Sequence, residues 1–297
     1  MPTSKAVNRP GFVRICCILA LSALAGPLTG SPVTAAEKPV EHLFLKFHLR
    51  TFVLRVATLR FEIDVTPKTY SVLSTMKTKG LVDLISDAKF KATATGSLKK
   101  SSLRPARFDI TTDNSRTGTR NQVVKWNGKR MPAVTRSWQL GDFKTSALAQ
   151  AIKPKMPDPL TALLTAAFRS QNELCRDKFQ VLNGKTVFDM HYSYVGPSTF
   201  DADSPGIYRG QVHQCQVLYR PVAGLSKKKW AKLKAKPNQG VDTFTIWMAP
   251  VNANHLGRVL YVPVGGSANV DGRQINAHLV AANLSGRALN EYSRKQK

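Results

Sequence analysis

Acid is scarce in this chain: 18 Asp and Glu stand against 44 Lys and Arg, giving a formal net charge of +26 over 297 residues. Cysteine is scarcer still, with four in all. Long apolar runs are missing too, since the longest, Ile15 through Ala25, falls well short of the roughly 20 residues that span a bilayer core. The sequence contains no GxSxG, HExxH or P-loop signature, no S-x-x-K with supporting motifs, and no GxGxxG following a strand. These absences exclude a polytopic membrane protein and the common hydrolase, metallopeptidase and nucleotide-binding classes. The apolar content still suffices for a buried core.

The first 36 residues carry Lys5, Arg9 and Arg14 and no acid, then the short apolar run, then Gly26, Pro27, Gly30 and Pro32, and finally Val33-Thr34-Ala35-Ala36. A basic start, a short apolar centre and a small-residue exit make a secretory signal peptide cleaved after Ala35 or Ala36. Removing three basic residues from 44 leaves 41 − 18 = +23 on residues 37–297. The excess charge therefore belongs to the folded part. Residues 37–283 are expected to form a single β-rich domain, with 284–297 a basic tail, and no segment after the signal is long and apolar enough to cross a membrane.

Cys16 and Cys17 fall within the signal, so Cys175 and Cys215 remain. In an oxidising compartment two cysteines most simply form one disulfide. A metal site recruiting His213 and His191, or a Cys/His nucleophilic pair, are the alternatives. Neither has a CxxC or comparable spacing behind it.

Period-2 alternation dominates. Leu43, Leu45, Phe47 and Leu49 alternate with His42, Phe44, Lys46 and His48, and Ala57, Leu59, Phe61, Ile63 and Val65 with Thr58, Arg60, Glu62 and Asp64. Phe188, Met190, Tyr192 and Tyr194, and later Phe244, Ile246 and Met248, repeat the pattern, the last against a mixed face that includes Trp247. Asn127-Gly128, Asn183-Gly184 and Asp271-Gly272 sit between such runs and tolerate the positive φ angles of tight hairpins. One segment reads as a helix, Pro159 to Arg169, with Asp158 as N-cap and Pro at the first helical position. Its stripe of Leu160, Leu163, Leu164 and Ala167 should cover one face or mouth of the curved sheet. A second short helix is expected at Leu81 to Asp87. The fold class is mainly β: a large curved antiparallel sheet or partly closed barrel or spiral with one packed helix.

The densest basic stretch comprises Lys227, Lys228, Lys229, Trp230, Lys232, Lys234 and Lys236. It reads either as a solvated loop or as a short amphipathic segment meeting an anionic surface, with Trp230 and Leu233 as apolar contacts. Export removes nucleic acid as the expected partner of this charge. The carboxylate pairs Glu62 with Asp64 and Asp201 with Asp203 read as wet-face or loop residues. No catalytic residue, metal or cofactor is assigned.

Asp158-Pro159-Leu160-Thr161-Ala162-Leu163-Leu164, Cys175, Phe179, Asn183-Gly184, Phe188-Asp189, Gly206-Ile207-Tyr208-Arg209-Gly210, Cys215, Tyr219-Arg220-Pro221-Val222-Ala223-Gly224 and Ile246-Trp247-Met248-Ala249-Pro250 follow one another in an order that resembles the exported bacterial family known as domain of unknown function 3108. The resemblance spans roughly residues 43–282, with one departure: Asn183-Gly184 stands where the family carries Asp-Gly before basic residues. It implies a periplasmic β-rich protein with its two cysteines paired, and no activity. The family in turn resembles, by fold-level analogy, envelope proteins whose curved sheets enclose an apolar concavity beside a helix. The resulting expectation is a periplasmic, non-enzymatic protein holding an apolar or lipid-like ligand, such as a lipoprotein acyl chain, in its sheet. The alternatives are an envelope scaffold docking on anionic surfaces and an unrecognised hydrolase.

Overall fold

The structure is a computed structural model that describes residues 40–52, 54–78, 88–99, 102–115, 118–138, 145–200, 207–235, 242–270 and 273–288. The signal segment, the short helix expected at Leu81 to Asp87, Asp201 with Asp203, and Lys236 all lie outside the described residues.

Among the described residues fourteen strands form one sheet in which every ladder is antiparallel. The N-terminal group is β1 (Glu41–Thr51), β2 (Leu54–Val65), β3 (Thr69–Thr78), β4 (Ala88–Lys99), β5 (Ser102–Asn114), β6 (Arg120–Lys125) and β7 (Ala133–Arg136). The C-terminal group is β8 (Lys178–Leu182), β9 (Val187–Phe200), β10 (Gly210–Ala223), β11 (Asp242–Ala253), β12 (Arg258–Val270) and β13 (Arg273–Leu284), with β14 (Arg287–Ala288) folding back on β13. Each group is a meander of sequential neighbours, and the two join where β1 pairs with β13, so the order runs β7 down to β1 and then β13 down to β8. The two edge strands are β7 and β8, and the path between them does not close through backbone pairing.

The alternation read from the sequence decides what each strand buries. In β1, Leu43, Leu45 and Phe47 are buried while Phe44, Lys46 and His48 are half-exposed; in β2, Phe61, Ile63 and Val65 are buried while Glu62 and Asp64 face water. The register places Leu43 opposite Ile63 and Leu45 opposite Phe61, and the Phe47 and Phe61 rings meet edge to face at 6.2 Å. Phe108 and Val124 continue this core across β5 and β6.

The turn dipeptides act in three ways. Val270 pairs with Arg273, which is the two-residue connection expected at Asp271-Gly272, itself outside the described residues. Asn183-Gly184 opens a four-residue loop between Leu182 and Val187, with the Asn183 Oδ1 accepting from the backbone of Lys185 (3.0 Å) and Thr186 (2.8 Å). Asn127-Gly128 is no tight hairpin, because pairing stops at Lys125 opposite Ala133 and a longer loop intervenes. A two-residue turn with both φ angles positive occurs instead at Ser285-Gly286, between the paired Leu284 and Arg287.

Among the described residues three α-helices accompany the sheet: α1 (Thr145–Ala151), α2 (Pro159–Ala167) and α3 (Lys227–Ala235). The second is the one read from the sequence. Asp158 caps it, accepting from the Thr161 backbone N–H at 2.9 Å and the Thr161 hydroxyl at 2.5 Å. The helix touches β4, β5, β8 and β12, strands spread from one side of the sheet order to the other, so the sheet wraps around it. Leu160, Leu164 and Ala167 are buried and Leu163 half-buried, as the stripe requires, but Ala162, Thr165 and Ala166 on the remaining faces are buried as well. Rather than covering the sheet from outside, α2 is enclosed by it.

Candidate functional site: the seam between the sheet edges

The β7-to-β8 connection, carrying α1 and α2, returns the chain from one edge of the sheet to the other and leaves a seam between them. Side chains fasten one end. The Gln122 amide of β6 donates to the Asn183 carbonyl, and Arg136 of β7 donates to the Gly184 carbonyl from Nε at 3.0 Å and from Nη2. Gly184 has φ +83°, and a Cβ there would lie 2.6 Å from Gln122 Nε2 and 2.9 Å from Val124 Cγ2, so glycine alone fits between the edges. Farther along, the Leu182 N–H donates to the Pro157 carbonyl at 3.0 Å, so the strap before α2 occupies part of the unpaired edge of β8.

The other end of the seam stands open. β5 begins at Ser102, but β6 covers it only from Arg107 onward. Between the uncovered start of β5, α2 and β8 lies a cleft of about 520 Å³. Lys99, Lys155 and Arg169 supply its cations, and Leu103, Pro105, Pro157 and Phe179 its apolar walls. Arg169 is held by Asp177 through hydrogen bonds of 2.5 and 3.0 Å, which fixes its guanidinium at the rim.

Leu45, Phe61, Ile63, Leu164 and Val262 help line a cavity of about 30 Å³, space for about one water. Glu41 also borders it. This fully buried carboxylate accepts from the His255 N–H at 2.9 Å and the Ser285 hydroxyl at 2.5 Å, tying the start of β1 to the turn after β13. A second polar chain crosses the interior where Tyr70 bonds Thr161 at 2.7 Å and Thr161 bonds Asp158. Gly96 makes this reach feasible, since a Cβ there would lie 2.5 Å from the Tyr70 hydroxyl and 2.2 Å from the Arg104 carbonyl. Burial pushes the Asp158 carboxyl up to about 6, against the Thr161 bonds that pull it down, and burial likewise raises the Tyr70 phenol. At its other end α2 is capped by Arg258, which donates to the Phe168 carbonyl at 2.5 Å and lies over the Phe168 ring at 5.0 Å.

Cys175 and Cys215 form a disulfide with Cα atoms 5.8 Å apart. It sits in a separate apolar cluster with Leu174, Tyr192, Val217, Met248 and Tyr261. Both thiols are consumed, so neither of these two cysteines serves as a thiolate metal ligand or as a nucleophile. His213 instead pairs with the Tyr194 hydroxyl at 2.9 Å and meets the Tyr261 ring at 5.4 Å. Among the described residues no three His, Cys, Asp or Glu side chains gather as a metal site, and Asp64, considered with Glu62, bonds His42 at 2.6 Å.

The basic stretch forms α3, with the Trp230 N–H closing its first turn on the Ser226 carbonyl at 2.9 Å. Lys227, Lys228 and Lys229 are exposed and Trp230 is half-buried; the Lys232 and Lys234 side chains lie outside what is described. The seam cleft was not read from the sequence. Its walls come from residues 99–105, 155–169 and 179, which only the curl of the sheet brings together.

The molecule is thus a β-barrel-like protein: one antiparallel sheet rolled around a helix and fastened along a seam by side chains. The chain belongs to the family described as Protein of unknown function (DUF3108), which it matches over residues 46–271. It is also similar in structure to a beta-barrel-like protein of domain of unknown function DUF1849 from Brucella abortus, with a TM-score of 0.49 and 8% identity over 84% of this chain and 100% of that one. No curated protein matches it.

Proposed function

We propose that this protein is an exported, non-enzymatic binding protein that takes an anionic amphiphile into the seam cleft. The cleft carries the reading. Its roughly 520 Å³ falls within the range of about 300–1,000 Å³ usual for small-ligand sites, and it combines an apolar wall with convergent cations. The acidic headgroup would meet Lys99, Lys155 and Arg169 while the tail lies against Leu103, Pro105 and Phe179. The cavity beside α2 supports the same assignment, because at about 30 Å³ it has no room for an acyl chain while α2 is in place.

Native mass spectrometry of the exported protein should reveal a co-purified amphiphile, and oleate titration should be saturable. The double variant Lys99→Gln, Lys155→Gln should bind oleate about thirtyfold more weakly, each lost charge-assisted contact being worth about 1 kcal/mol. Oleate binding that ignores both this variant and Phe179→Ala would remove the cleft as the site. Export is checked separately by N-terminal sequencing, which should find mature protein starting at Ala36 or Glu37.

A second reading, docking on anionic envelope surfaces, rests on the exposed lysines of α3. Vesicles containing phosphatidylglycerol should bind the protein at low salt and release it as salt rises, since exposed charges are screened over about 8 Å at physiological ionic strength. Changing Lys227, Lys228 and Lys229 to Gln should abolish most of that binding, and vesicles ignored by the wild type at low salt would refute it.

A further inference from the structure

The hairpin that joins β1 to β2 presents an aromatic ring to water. The register pairs Thr51 with Leu54, which leaves a two-residue turn with Phe52 at its first position. Turns of that length need a positive φ there, and Phe52 adopts φ +50°, a conformation that Asn or Gly takes readily and a bulky aromatic only at a cost. Phe52 is 91% exposed and Leu54 57%, the two most exposed large apolar side chains among the described residues. A ring held in an unfavourable backbone conformation and left unburied gains nothing for the fold, so its use is sought outside it.

Cations stand directly behind the tip, and strand pairing fixes their places. Arg50 lies opposite Arg55, the pair next to Thr51 and Leu54. The Arg55 guanidinium donates to His48 Nε2 at 3.2 Å, and His48 itself lies between Thr58 and His278. One step farther back, Lys46 lies opposite Arg60. Like charges set opposite one another oppose strand pairing, so this face is not arranged for stability. Apart from the buried Glu41, β1 and β13 contain no acid; Glu62 and Asp64 of β2 lie farther from the tip, where Asp64 bonds His42 at 2.6 Å. Along this face the order is therefore apolar tip, then cations, then acid. The ladders also place the tip at the same end of the sheet as α3. Arg50 lies opposite Asn276 near the start of β13, Val270 at the end of β12 pairs with Arg273, Phe244 near the start of β11 pairs with Ala268, and α3 joins the end of β10 to that start.

We infer that the β1–β2 tip inserts into an anionic phospholipid surface, with Phe52 and Leu54 entering the headgroup boundary while Arg50 and Arg55 meet the phosphates. Charge complementarity selects this occupant, since a symmetric contact with a second copy would set the same cations against one another. The inference rests on the surface reading of α3 and deepens it: it adds an apolar anchor beside the exposed lysines and turns this end of the sheet toward the membrane.

The test uses the full mature chain and phosphatidylcholine vesicles containing phosphatidylglycerol, followed by flotation. The variant Phe52→Asn, Leu54→Ser should bind about tenfold more weakly, with a thermal midpoint no lower than that of the wild type because Asn suits the positive φ. Arg50→Gln, Arg55→Gln should weaken binding about tenfold as well. Phe52→Trp should bind as the wild type does and lose more fluorescence than the wild type to lipids brominated on their acyl chains. Wild-type binding by Phe52→Asn, Leu54→Ser, or no added quenching in Phe52→Trp, overturns the inference. Loss in the tip variants while the Lys227, Lys228 and Lys229 triple variant binds normally removes the α3 reading and leaves the tip standing; the reverse removes the tip alone, and a wild type that ignores the vesicles removes both. A drop in oligomer mass in Phe52→Asn, Leu54→Ser with vesicle binding unchanged would assign the tip to contact between copies and overturn the inference. Oleate binding in the seam cleft, beside the β4–β5 connection, should be unaffected by any of these changes.

Discussion

The N-terminal strands β1 to β5 and the C-terminal strands β9 to β12 belong to one sheet but solve burial differently. In the first group consecutive residues divide cleanly between core and water, as in β1, where Leu43, Leu45 and Phe47 face α2 and the main core while the residues between them are half-exposed. In the second group both faces are apolar: Leu260 and Val262 of β12 enter the main core, whereas Tyr261 between them joins the cluster around the disulfide. Trp247 and Met248 of β11 divide in the same way. A second apolar face needs its own cover, and here it comes from Ala166 at the end of α2 and from Leu174 and Cys175 in the chain leaving it. The covalent link therefore sits where an irregular segment, not a sheet or helix, has to be held against apolar surface.

Breaking that link should produce the largest effect. Cys175→Ser is expected to cost about 2 to 5 kcal/mol, in line with other native disulfides. Hydrogen exchange should show lost protection concentrated in β9 to β12 while β1 to β5 keep theirs; uniform loss would mean that the two regions form one cooperative unit. Leu164→Ala strikes the other region, emptying space beside an existing cavity, and should cost about 3 kcal/mol by denaturant unfolding. A loss under about 0.5 kcal/mol would place α2 at the surface instead.

Asp158 sharpens the comparison through pH. Its folded pKa of about 6 lies above the ordinary 3.8, so the native protein binds this proton more tightly than the unfolded chain does. Its contribution is then fully present below about pH 4 and is lost as pH rises through 6, on the order of 3 kcal/mol in all. Asp158→Asn keeps an acceptor for the Thr161 N–H and carries no charge. The stability difference between wild type and variant should therefore shift in favour of the variant across that window. A difference independent of pH would show that the carboxyl is ionised at little cost. The smallest effect is expected at the seam, where Gly184→Ala combines a positive φ with contact against Gln122 and should cost about 1 to 2 kcal/mol. It should loosen β6 and β7 before any strand of the C-terminal group.

Much of this architecture is written locally. The alternating strands, the antiparallel connections and the Asp158-Pro159 start of α2 each depend on neighbours within a few residues, and all are present. The cysteine pairing follows from there being only two candidates. What escapes the sequence depends on curvature or on competition between weak terms. α1 is seven residues long, too short for its periodicity to stand out. α3 carries like charges that oppose a helix, yet Lys, Ala and Leu all favour one intrinsically and Ser226 begins it. Asn127-Gly128 resembles a tight turn, but the chain lengthens there before β7 pairs. Neither end of the seam is legible, since Gln122 and Asn183 become neighbours only after thirteen strands have curled around a helix.

The pairing of β1 with β13 sets the order in which this molecule can be completed. Every other ladder joins strands adjacent in sequence, so each meander can zip hairpin by hairpin as the chain emerges. The first strand, however, waits for the last long one, from the register Leu43 opposite Leu284 to Arg50 opposite Asn276. Until β13 arrives, β1 presents an open row of amides and carbonyls beside exposed leucines, a template for pairing with another copy. A chain truncated before Arg273 would leave that row permanently uncovered and should aggregate rather than persist as a smaller barrel.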